Sequence, residues 1–107
     1  MQIKIYVVKT EVEKDISLNA LIHDLKIRVL NEFGGLTIIP NCLDLWCDKS
    51  TVQTKGYVDI CKDSVEIWEI LSDHVDEEQL RNIALLIKFA TKQKTQLYTI
   101  NFESCFV

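Results

Sequence analysis

Asp63 and Glu66 are the residues in this chain best suited to chemistry. They open an apolar run, Ser64 to Leu71, and Trp46 precedes them in a shorter one. A carboxylate held against an indole loses water, so its pKa rises and it becomes able to act as a general acid or base. Thr37, Trp46, Asp63, Ser64 and Glu66 would then form one polar site on one side of a sheet. The plainer alternative is a solvated acid at a strand end, with the two tryptophans in the core or an interface. We place a ligand site at Thr37, Trp46, Asp63 and Glu66 and assign no catalytic residue.

Other constellations are weaker. Gly34-Gly35 follows a helical pattern, whereas phosphate-binding glycines precede a helix and carry Lys-Ser/Thr or a third glycine. It is read as a helix C-cap and turn. His23 falls on the polar side of a helix, and His74 sits in a loop among Asp73, Val75 and Asp76. The serines and cysteines have no evident base partner, so nucleophilic catalysis lacks support. The four cysteines, Cys42, Cys47, Cys61 and Cys105, are irregularly spaced, with no C-x-x-C. A zinc site from Cys42, Cys47 and Cys61 with His23 or His74 is conceivable on paper. Buried thiols in a reducing compartment are the preferred reading. No metal and no cofactor is expected.

The elements that must position these groups follow from periodicity. Ile3, Ile5 and Val7 alternate with Gln2, Lys4 and Tyr6, giving a strand over 2–9. Glu11 to Asp15 reads as a solvated loop, with Ser17 as the N-cap of the first helix. Leu18, Leu21, Ile22, Leu25, Val29 and Phe33 share a helical stripe, which Ile27 and Leu30 widen. Leu36 to Ile39 is β-prone, and Pro40 marks a strand end, edge or bulge. Leu43 to Trp46 resumes the strand, Asp48 to Gly56 is a loop or hairpin tip, and Tyr57 to Cys61 is a minor strand.

Ser64 to Leu71 is a strand apolar on both faces. Asp76 starts a second helix whose stripe is Leu80, Ile83, Ala84, Ile87 and Ala90. Leu85, Leu86 and Phe89 exceed what one sheet face can cover, so they and Trp68 are assigned to a subunit interface. Residues 96–107 form the last strand. The order strand, helix, strand, strand, helix, strand predicts an α+β fold of the ferredoxin-like, split β-α-β type. Its antiparallel sheet would carry both helices on one face.

The chain has 107 residues, 48% of them hydrophobic and 26% charged, so one domain over 1–107 is expected. A net charge of −4 argues against a nucleic-acid binder, which needs a basic face. No apolar run approaches the ~20 residues of a membrane span, and the alternating N-terminus is unlike a signal peptide. A cytoplasmic location is expected.

Phe33-Gly34-Gly35-Leu36-Thr37, then Trp46, then Asp63-Ser64 resembles a family of small uncharacterised bacterial proteins. Its members carry F-x-x-G-L-T, a tryptophan, a later Glu-Ser pair and a late glutamine, for which Gln93 and Gln96 are the candidates here. Asp63 stands where that family has glutamate, and the loop after Trp46 is longer. Similar proteins are encoded by phages and mobile elements. The resemblance mainly supports the fold. The excess apolar surface on the second helix and the Trp68 strand points to a small interaction module. A phage-derived inhibitor of a host defence system is a specific variant of it. The sequence favours a non-enzymatic, homo-oligomeric module with a protein partner or a small-molecule ligand. An enzyme using Asp63 or Glu66 is the alternative.

Overall fold

The computed structural model of the chain describes residues 1–48, 56 and 59–107. Strand β1 is Gln2–Val8, helix α1 Ile16–Phe33, β2 Thr37–Asp48, β3 Asp59–Leu71, α2 Glu77–Ala90, β4 Leu97–Ile100 and β5 Glu103–Phe106. The result is an α+β fold. Among the described residues the five strands form one sheet in the order β2-β3-β1-β4-β5. Every neighbouring pair is antiparallel.

The sheet has one covered face. Ile3 and Ile5 stand opposite Ile70 and Trp68, so strict alternation puts these four on the same side. They are fully buried in a cluster with Ile22, Leu25 and Val29 of α1 and Leu80, Ile83 and Ile87 of α2. Both helices therefore cover this face. The other side presents Lys4, Tyr6, Ile67 and Glu69, which are half-buried.

Local signals account for much of this. All five stripe residues of α2 are buried. Its N-cap Asp76 accepts from the backbone N–H groups of Glu78 and Gln79, which the helix itself cannot pair. Helix α1 ends at Gly34, whose φ of 79° is the left-handed conformation that glycine adopts without a Cβ clash. Pro40 lies at a register shift between Ile39 and Cys42, where Asn41 also has a positive φ of 59°. A bulge there joins the two β-prone runs into one strand.

Several expectations are corrected. The N-cap of α1 is Asp15, not Ser17: its carboxylate accepts from the Ser17 and Leu18 N–H groups at 2.8 and 3.2 Å. Residues 12–14 form a 3-10 turn rather than a solvated loop, and Val12 is buried in the core. Leu21, Ile27 and Leu30 are exposed, because α1 buries a narrower stripe than its apolar residues span. Strand β3 begins at Asp59 instead of Ser64. Most of the expected polar tip, with Tyr57 and Val58, lies outside the described residues.

The last segment is a hairpin rather than one strand. Ile100 pairs with Glu103 across a two-residue turn, Asn101-Phe102, with φ values of 49° and 70°. Two positive φ values match a type I′ turn, whose twist suits a hairpin. Asn tolerates that conformation, but Phe rarely adopts it, so the composition hides the turn.

Trp68 is not an interface residue. It is 0% exposed, because its position on β3 faces the helices. Leu85, Leu86 and Phe89 are indeed on the surface, at 38%, 41% and 81% exposure.

Candidate functional site

Asp63 and Glu66 lie on opposite faces of the sheet. Three residues apart on one strand, they cannot share a face. Glu66 turns towards the helices. Lys26 of α1 pairs with it at 2.8 Å, and the Trp68 indole N–H donates to the same carboxylate at 2.8 Å. The Lys26 ammonium also sits 5.9 Å from the Trp68 ring centroid, within cation–π range. Burial pushes the Glu66 pKa up. The hydrogen bonds from Lys26 and Trp68, with the charges of Lys26 and Lys9, outweigh it and leave the carboxyl below its ordinary value. Glu66 is thus an ionised structural group, not a poised acid.

Asp63 faces the open side. It stands opposite Asp44 on β2, and Trp46 is its diagonal neighbour on the same face. The Trp46 indole N–H donates to Asp63 Oδ2 at 2.9 Å, and the Thr10 hydroxyl donates to Oδ1, also at 2.9 Å. Thr10 in turn accepts from the Ser64 N–H, and the Ser64 hydroxyl donates to Glu13. This chain of bonds fastens the turn after β1 to β3. Both oxygens of Asp63 are engaged, so it holds structure as well as facing the open side.

Thr37 is on that face too, but it pairs with Glu69, six residues from Asp63 along β3. At about 3.4 Å per residue the separation is roughly 20 Å. Of the four residues placed in one site, Trp46 and Asp63 meet, while Thr37 is remote and Glu66 lies on the opposite face.

What the open face offers instead is a groove of about 480 Å³ beside this pair. Tyr6 and Val65 form its floor with Ile67. Asp44 and Trp46 stand on one side, Gln96 and Phe106 on the other. That volume is in the range of small-ligand sites. The sequence singles out none of the acceptors Asp44 and Gln96 for chemistry, and Gln96 enters only through the family resemblance. Nothing local distinguishes them, since the groove joins β2 to the segment before β4.

Gln96 is 1% exposed. Its amide nitrogen donates to the Tyr6 carbonyl at 2.6 Å and to that of Leu97 at 3.0 Å. It extends the β1–β4 pairing beyond Ile5, where the backbone ladder between these strands ends. Its amide oxygen is buried and has no hydrogen-bond partner among the described residues.

The remaining candidates are separated. His23 and His74 are both exposed, and Ser72 donates to the His74 carbonyl. Cys42, Cys61 and Cys105 are half-buried rather than fully enclosed. No group of three or more His, Cys, Asp or Glu that could hold a metal ion occurs among the described residues. No helix there is long and apolar enough to cross a membrane.

Compared with known proteins, the chain matches no family model, no curated protein and no solved structure.

Proposed function

We propose that this protein is a non-enzymatic binding module that recognises its ligand or partner with the helix-free face of the sheet. The observation that carries this reading is the groove of about 480 Å³, walled by aromatic rings and polar acceptors. Aromatic side chains supply contact area there, and the polar groups set orientation. The enzyme alternative is less well supported, because both of its candidate acids are engaged. Asp63 accepts from Trp46 and Thr10, and Glu66 is ion-paired with Lys26. A phage-encoded inhibitor remains the specific variant suggested by the resemblance alone.

The experiment is an amide-resolved NMR titration of the whole chain with a chemically mixed set of small fragments. Shifts clustered at Asp44, Trp46, Val65 and Gln96 are expected. A set of that kind that moves none of these amides at millimolar concentration would sink the proposal.

We also read the sheet as the ferredoxin-like split arrangement with β5 added at one edge. The adjacency β2-β3-β1-β4, with one helix between β1 and β2 and another between β3 and β4, supports it.

Self-association through α2 is the second part of the proposal. Leu85, Leu86 and Phe89 follow i, i+1, i+4 spacing and leave a contiguous apolar strip open. A second copy of the chain is its simplest cover. Sedimentation velocity at about 100 µM should show a dimer or larger species. The Phe89→Glu variant should return it to monomer, since a buried unpaired charge is strongly disfavoured. A wild-type monomer at that concentration would remove the oligomer from the proposal.

A further inference from the structure

We infer that the groove on the open face binds a guanidinium group, a flat cation with several N–H donors. This rests on the reading of that face as the recognition surface and adds the chemistry of what it takes.

Two acceptors among the residues that line the groove, Asp44 and the Gln96 amide oxygen, have no donor among the described residues. Gln96 lines it, and the amide oxygen of this almost fully buried side chain accepts from nothing among the described residues. The assignment of oxygen and nitrogen is fixed by neighbours: the nitrogen meets two carbonyls, which only a donor can satisfy. An acceptor left bare in the interior costs stability, and an N–H in the groove recovers it once the Gln96 amide shifts to uncover its oxygen.

Asp44 is the second acceptor. It is exposed on the open face and makes no salt bridge or side-chain hydrogen bond among the described residues. Its cross-strand neighbour is Asp63, so two like charges face each other on one pair of strands. Such a pair is unfavourable, and a cation placed between the strands and the groove relieves it. Among the described strand residues on this face the lysine is Lys4, and it is already paired with Glu69.

Shape favours a planar cation over a compact one. Tyr6, Trp46 and Phe106 supply ring surfaces in the groove. A guanidinium stacks on such rings and distributes five N–H donors in its plane, whereas an ammonium is a strongly hydrated point charge. The protein's net charge of −4 also favours approach of a cation. The group can arrive as a free small molecule or as an arginine side chain, and its chemistry is the same.

The test is an NMR titration of the whole chain with N-acetyl-arginine-methylamide and, separately, its neutral citrulline counterpart. The arginine probe should shift the amides of Asp44, Trp46 and Gln96 saturably. The citrulline probe should bind about tenfold more weakly or worse, because the charge-assisted bond is lost. Asp44→Asn, an exposed substitution, should weaken the arginine probe by about tenfold as well. A Gly/Ser decapeptide with one central arginine separates the two sources. Binding about tenfold tighter than the single residue indicates an arginine in a partner protein, and equal binding indicates a small molecule.

Equal affinity for arginine and citrulline probes would overturn the inference, as would an unchanged affinity in Asp44→Asn. If other fragments shift the groove amides and the arginine probe does not, the guanidinium inference fails while the recognition face stands. If nothing of any class shifts them, both fail.

Discussion

Replacing Trp68 by alanine is expected to cost about 3–5 kcal/mol, the range for deleting a large buried aromatic. Set against a typical total of about 5–15 kcal/mol, that is enough to bring the protein close to unfolding. Trp68 is fully buried and belongs to the cluster that joins the sheet to both helices. Its loss opens a cavity between rigid elements that cannot collapse onto it. It also takes the indole N–H from Glu66 and the ring from beneath Lys26. Urea denaturation followed by circular dichroism measures the change. Trp46→Ala is the control: at 47% exposure it leaves no comparable cavity, and its cost should be under about half that of Trp68→Ala. Equal costs for the two tryptophans would contradict the burial on which the difference rests.

Glu66→Gln is the second large effect, about 1.5–3 kcal/mol at neutral pH. The Lys26 and Glu66 side chains are only 23% and 13% exposed, so the remaining ammonium is largely cut off from water once its partner is neutral. Glutamine keeps an acceptor for the Trp68 N–H but not the charge. The pH dependence has a definite sign. The folded-state pKa of Glu66 is lowered, so the unfolded chain takes up this proton first as pH falls. The stabilisation from its ionised form is therefore complete above the unfolded value of about 4.3 and is lost as pH falls through the lower folded value. The stability gap between wild type and Glu66→Gln should be full at pH 7 and should narrow steadily below about pH 4.3. A gap that stays constant from pH 7 down to pH 3 would mean that the ion pair contributes nothing.

Much of the fold is legible in local patterns because the forces behind it act over a few residues. The α2 stripe from Leu80 to Ala90 and its Asp76 cap follow from the 3.6-residue period and from unpaired N–H groups at the helix start. The Ile3, Ile5, Val7 alternation and the left-handed Gly34 are local in the same sense. Where local signals compete, choices between adjacent residues fail. Asp15 and Ser17 are both good caps, and the one that precedes the first helical residue takes the role. Asn101-Phe102 turns the chain without a glycine, so nothing in its composition announces a hairpin.

The candidate site divides along the same line. Parity alone separates Asp63 from Glu66, since a spacing of three on any strand reverses the face. Which face the helices cover is not in the parity. It follows from where the apolar stripes of α1 and α2 find their matching surface, Ile3, Ile5, Trp68 and Ile70. The meeting of Trp46 with Asp63 depends on the register between β2 and β3, which shifts at the bulge between Ile39 and Cys42. A slip of one residue there would turn Asp44 and Trp46 to the other side. The groove depends further on Gln96, whose side chain reaches across to the Tyr6 carbonyl, ninety residues away in sequence. The sequence by itself determined the helices, most of the strands and the alternation of faces. Only the tertiary structure decided which acid pairs with which partner and where acceptors gather, because contacts between distant segments are set by register and packing rather than by any local period.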